Sequence, residues 1–179
     1  MLWLATPLII FWGLQHFEPR TIAGLLLLIF ITRHQGQIRI FLSNLSLNQC
    51  IFIVAFIALI AAIAVTNSEV LLRLYPVVIS LGMFSFFATS LKYPPTIIEQ
   101  IARSQEPNLS PQGVRYTRHI TAIWCIFFII NAGIALYTTL YTSRETWALY
   151  NALIAYCLMG GLILGERLVR RYFITSNSI

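Results

Sequence analysis

Two apolar stretches near the end of the chain, Ile120–Thr142 and Thr146–Leu168, are each long enough to cross a bilayer and are separated only by the turn holding Arg144 and Glu145. A crossing needs about 20 predominantly apolar residues. In hydrocarbon every backbone N–H and C=O must be paired within the protein, and runs without strand-like alternation meet that demand as helices. Four more apolar segments precede them: Leu2–Leu14, Thr21–Thr32, Cys50–Thr66 and Val70–Leu91. The first two fall short of crossing length, so they form a thin hairpin, a re-entrant pair or one helix broken at His16–Arg20. The pattern predicts an all-α, polytopic transmembrane helical bundle, one integral membrane domain over residues 1–179. It has six crossings, or five if the first pair crosses once.

Charge placement orients this bundle. The net charge is +6, yet only 10% of residues are charged and the cations flank apolar segments, which fits membrane topology and not nucleic-acid binding. Arg20, Arg73 and Arg144 lie in one set of linkers, and the other nine Lys and Arg lie in the alternate set. The excess places residues 92–119 and both termini in the cytoplasm of a bacterial cell, with the chain in the inner membrane. The N-terminal segment lacks the basic region and cleavage site of a secretory signal, so it reads as part of the mature protein. Each cation of the outer linkers has a glutamate nearby (Glu18, Glu69, Glu145), the ordinary arrangement of solvated turn charge. Tyr137, Tyr141, Trp147 and Tyr150 around the Arg144 turn read as an interfacial aromatic belt.

The longest polar interruption, Lys92–His119, reads as a cytoplasmic interfacial platform. After Pro94 and Pro95, residues Ile97, Ile98 and Ile101 share one helical face and Glu99 stands four residues before Arg103, a pattern that suits an amphipathic helix on a membrane surface. Pro107 ends it, and Ser110-Pro111 reads as an N-cap followed by proline at the first helical position. Glu99, Arg103, Glu106, Arg115, Arg118 and His119 form a candidate docking surface for a soluble partner.

Inside the membrane, Thr117, Thr121, Trp124, Phe128, Asn131, Ala135 and Thr138 recur at three- and four-residue steps as one stripe. Asn131 needs a hydrogen-bonding partner, which Asn151, Ser80, Ser85 or Thr89 can supply. Trp124, Asn131 and Asn151 are therefore the candidate intramembrane contacts, as interhelical glue or as the lining of a ligand path. Tyr75-Pro76 frees a backbone carbonyl and kinks the fourth segment. Gly161 and Gly165 have the spacing of a close helix contact, within the chain or in a homo-oligomer.

The acidic residues are six glutamates, with no aspartate anywhere, which excludes Asp-rich magnesium sites and Ser-His-Asp triads built from this chain alone. Cys50, Cys125 and Cys157 sit singly in apolar segments and read as buried packing residues. No cofactor and no metal is expected. An enzyme would have to draw on Glu99, Glu106 and His119 at the membrane surface, and no known catalytic spacing links them.

The segment with Trp124, Phe127-Phe128, Tyr137 and Thr146-Trp147, preceded by Tyr75-Pro76, resembles the intracellular septation protein A family of bacterial inner-membrane proteins. The whole chain is similar to a sister group of small membrane proteins, often encoded beside fatty-acid-like synthases for aryl polyene pigments, with a platform resembling PPxIIExIARxQEPxLxPxxVRYTR. Two departures from the septation pattern are Glu145 in place of a frequent aspartate and a longer platform. The resemblance implies a non-enzymatic inner-membrane accessory or scaffold protein in envelope or lipid-like biosynthesis, and carries over no catalytic residue. Acidic acyl carrier or envelope-biogenesis proteins would be its partners on the Arg103, Arg115 and Arg118 side. A lipid or polyene transporter using the Trp124–Asn131 stripe is the alternative, although six short helices should enclose little volume unless they oligomerise.

Overall fold

The computed structural model describes residues 10–13, 16–22, 24–25 and 47–176, with side chains from residue 50 to residue 167 of the last stretch. From residue 47 the described elements are all helical. They are α1 (Leu47–Thr66), α2 (Glu69–Arg73), α3 (Tyr75–Lys92), α4 (Ile97–Gln105), α5 (Pro111–Tyr141) and α6 (Arg144–Leu149), then a π-helical turn (Tyr150–Ile154) and α7 (Ala155–Ser176). Three rods are long and apolar enough to cross a membrane: Glu69–Lys92, Pro111–Tyr141 and Arg144–Arg167. Cys50–Thr66 is a shorter apolar helix. Six crossings are thus not what the described residues display, and the first two predicted segments lie mostly outside them.

The rods are inside out relative to a water-soluble bundle. On α5, Ile126 is 61% exposed while Asn131, five residues on, is 8% exposed. The predicted stripe from Thr117 to Thr138 is buried throughout, and the opposite faces of α5 and α7 present Ile123, Ile130, Leu158 and Leu164 outward. Apolar outside and polar inside is the distribution that lipid requires. The chain is a helical membrane protein.

Local sequence sets the element boundaries. Asn67 just beyond α1 takes φ of 49°, a left-handed conformation that asparagine tolerates, and Ser68 then caps α2 by accepting from Leu71 N. Pro76 lacks an amide proton, and the adjoining Val77 N donates to Leu74 O at 3.0 Å instead of reaching Arg73 O. The rod is therefore broken between α2 and α3, and Arg73 O is released for use elsewhere. Ser110 caps α5 through Gly113 N at 3.2 Å with Pro111 at the first helical position, as the sequence predicts.

Packing is densest between α3 and α5, where Phe87, Trp124, Cys125 and Phe128 form one cluster and Val77, Ala132 and Ala135 another. α1 lies on the other side of α3. There a β-carbon on Gly82 would come within 2.1 Å of the Phe52 ring, so α1 and α3 approach this closely only because residue 82 is glycine. By contrast Gly160, Gly161 and Gly165 have nothing within 4 Å of such a carbon, so their faces make no close helix contact among the described residues. Cys125 is buried as expected, but Cys50 is half-buried and Cys157 exposed on the apolar exterior, where a small thiol needs no partner.

The platform folds back onto the bundle. Thr96 caps α4 through Glu99 N at 3.3 Å, and Ser90 Oγ at the end of α3 accepts from Ile97 N at 3.2 Å. This double tie sets the roll of α4. Ile97 and Ile98 pack against the Phe87–Trp124–Phe128 cluster, while Ile101 is 54% exposed, so the three isoleucines do not share one buried face.

Candidate functional site

A cavity of about 1610 Å³ lies between α3, α5 and the Arg144–Arg167 rod, with α4 across one end. Its walls are apolar and aromatic, formed by Met83, Phe87, Trp124, Phe128, Met159 and Ile163. Gly113 and Asn131, eighteen residues apart on α5, both line it. At 1.5 Å per residue it runs about 27 Å along that helix. Pockets for small ligands measure about 300–1,000 Å³, so this one is sized for a long chain. The space is a cleft along α5 bounded by α7, which packs Met159 and Leu162 against the Phe87–Trp124–Phe128 cluster and accepts at Glu166 O from Tyr116 OH at 3.3 Å.

Polar groups occupy the two ends. Near α4 are Gln105, Glu106, Gln112, Glu166 and Arg167. At the far end are Ser80, Asn131 and Asn151, all buried. Asn131 Nδ2 donates to Ser80 Oγ at 2.9 Å, which realises one of the predicted pairings, and Tyr150 OH donates to Asn131 Oδ1 at 2.9 Å. Asn151 does not pair with Asn131: its Nδ2 donates to Trp147 O at 2.9 Å and lies 3.5 Å from Thr138 Oγ1. Trp124 contributes rings and not a polar contact, standing 6.1 Å from Phe87 and 5.6 Å from Phe128 between centroids.

A π turn lies at this end: Ala155 N donates to Tyr150 O, five residues back, and Tyr150 and Asn151 on the widened turn are both buried. No composition signal marks such a turn. Tyr150 and Trp147 were expected in an interfacial belt, and that expectation is corrected: Trp147 is fully buried, and only Tyr137 and Tyr141 of the four face outward.

Next to the far end sits a cluster that linker charge alone did not foretell. Arg73 is 7% exposed; its Nη2 donates to Thr138 O at 3.0 Å, Thr142 O at 3.1 Å and Ser143 O at 3.4 Å. The guanidinium lies 5.6 Å from the centre of the Trp147 ring and 3.8 Å from Glu69, which also binds Arg144. The released Arg73 carbonyl accepts from Trp147 Nε1 at 3.1 Å and Thr139 Oγ1 at 3.0 Å. The reading of Glu69/Arg73 as solvated turn charge is therefore corrected, because the open C-terminus of α5 supplies the carbonyls that let a guanidinium be buried.

The predicted docking residues separate. Glu99 is 5% exposed and held by Arg103 Nε at 2.9 Å, so it offers nothing to a soluble partner; the tie of α4 to Ser90 turns it inward. Arg103 is half-buried, and Glu106, Arg115, Arg118 and His119 are exposed. Arg115, Arg118 and His119 share the α5 face opposite the buried stripe, with His119 Nδ1 2.8 Å from Arg115 O. No hydrogen bond or ion pair joins Glu99, Glu106 and His119 to one another among the described residues. Nor do three His, Cys, Asp or Glu side chains converge there as a metal site requires.

No family model, curated protein or solved structure matches this chain.

Proposed function

We propose that this protein is a non-enzymatic inner-membrane accessory that holds a long-chain, lipid-like molecule in the cavity between α3, α5 and α7. The observation that carries the reading is the cavity itself: apolar and aromatic along its walls, polar at its ends, and about 27 Å long. The resemblance to membrane proteins accompanying aryl polyene synthases supports a role in envelope or lipid-like biosynthesis. In this reading the chain crosses the membrane six times, with both termini and residues 92–119 cytoplasmic, and the α4 end of the cavity faces the compartment where acyl chains are made. Movement of the same molecule across the membrane is the alternative use of the same cavity.

A photoreactive long-chain fatty acid, cross-linked to the protein in nanodiscs and mapped by peptide mass spectrometry, tests this. Labelling should concentrate on peptides holding Met83, Trp124 and Met159, and Met83→Trp, which fills the cavity, should reduce it several-fold. Labelling spread evenly over outward residues such as Ile126 and Leu164, unchanged by Met83→Trp, overturns the reading.

A second reading, docking of an acidic partner such as an acyl carrier protein, is favoured by the exposure of Arg115, Arg118 and His119 on one helical face. The two are compatible: a carrier bound there would stand beside the cavity end bordered by Gln112.

A further inference from the structure

We infer that the cavity selects a chain that is polar at both ends, with a neutral hydrogen-bonding group at the tip that reaches Ser80, Asn131 and Asn151. The inference rests on the proposed binding of a long-chain molecule and specifies its chemistry. Length comes first. The hydrocarbon core of a bilayer is about 30 Å thick, so a tail belonging to one leaflet covers about 15 Å. From Gly113 to Asn131 the cavity extends about 27 Å, and from His119, at headgroup depth, to Asn131 about 18 Å, so the polar far end lies a little deeper than one leaflet's tail reaches.

The far end is also wrong for a methyl terminus. Ser80 is 5% exposed, Asn131 8% and Asn151 4%, and all three line the cavity. A side-chain amide has two N–H donors and an oxygen with two acceptor sites. Among the described residues Asn131 uses one N–H, toward Ser80, and Asn151 Oδ1 accepts no hydrogen bond. Both side chains border the cavity with this capacity unspent. A hydroxyl at the tip of the chain satisfies it, since one O–H both donates and accepts.

Between the ends, Phe87, Trp124 and Phe128 pack at centroid distances of 5.2 to 6.1 Å and offer ring faces and edges to the chain. At the α4 end Gln105, Glu106, Gln112, Glu166 and Arg167 receive a polar, water-facing head. Together these features describe an extended molecule about 27 Å long with a polar head and a neutral, hydrogen-bonding tip.

The test compares docosanoic acid with its ω-hydroxy derivative by displacement of a fluorescent fatty acid from the full chain in nanodiscs. The hydroxylated chain should bind about five- to tenfold more tightly, the gain expected of one or two modest hydrogen bonds. Asn151→Leu should abolish that preference, and Ser80→Ala, a gentler change, should reduce it. Equal binding of the two acids to the native protein overturns the inference and leaves the proposed function standing, with tails from two leaflets sharing the space. Binding of neither acid overturns both. A preference retained in both variants overturns the assignment of the tip to this end.

Discussion

Arg73 reaches three carbonyls at the end of α5 with a single nitrogen, Nη2, while Glu69 and the Trp147 ring lie against the same guanidinium. Its Nε is buried without a partner, so the arrangement is strong on one edge of the group only. Removing one partner of a buried charged set costs about 3–5 kcal/mol, whereas an exposed ion pair contributes about 0–1 kcal/mol. Arg73→Met should therefore lower stability by several kcal/mol, and Arg144→Met, at a side chain 46% exposed, by no more than about 1 kcal/mol. Arg73→Lys should fall between them, since an ammonium lacks the planar fork. Thermal unfolding in detergent ranks the three, and equal losses for Arg73→Met and Arg144→Met would remove the special role of Arg73. The Asn131 pairing was legible from the sequence because a polar residue amid apolar ones demands a partner nearby. The burial of Arg73 was not, because its carbonyl partners lie 65 to 70 residues further along the chain and its spacing from Glu69 looks like any surface pair.

At the level of helices, the contact between α1 and α3 turns on Gly82. The Phe52 ring occupies the place of the missing β-carbon and meets Phe86 edge-on at 5.5 Å. Gly82→Ala should destabilise the protein by about 1–3 kcal/mol through overpacking, although alanine is the better helix former. In a Phe52→Ala background the same change should cost nothing or stabilise, and a double-mutant cycle measures the difference; a cost independent of residue 52 would show that the ring yields freely. Element starts such as Ser110-Pro111 were readable because capping is local chemistry. The roll of α4 and the π turn were not, because a bond from Ser90 to Ile97 N and an extra residue in a helical turn leave no periodic trace. The cavity, formed between helices far apart in the sequence, was hidden too, although its lining stripe on α5 stood out by spacing alone.

For the whole molecule, α5 is the measure of depth. Its 31 residues extend about 46 Å, against about 30 Å of hydrocarbon, so the turns bearing Arg115, Arg118 and His119 stand in the headgroup layer or beyond it. Reporter fusions after Gln112 and at Ile179 should both report the cytoplasm, and a periplasmic signal at either reverses the proposed orientation. Changing Arg115 and Arg118 to Gln should leave insertion intact but weaken recovery of an acidic carrier protein in pull-downs. The native interaction should fade as salt rises, because exposed charges are screened beyond about 8 Å at physiological ionic strength. Recovery unaffected by either change would leave these cations a topological role only. The π turn has a consequence for how such a chain changes by insertion and deletion. It accommodates one residue more than an α-helical turn, so losing a single codon there would close it to ordinary pitch without altering the direction of α7 or the membrane crossing. Only the placement of Tyr150 and Asn151 at the far end of the cavity would change, which makes ligand preference separable from membrane insertion by the smallest in-frame deletion.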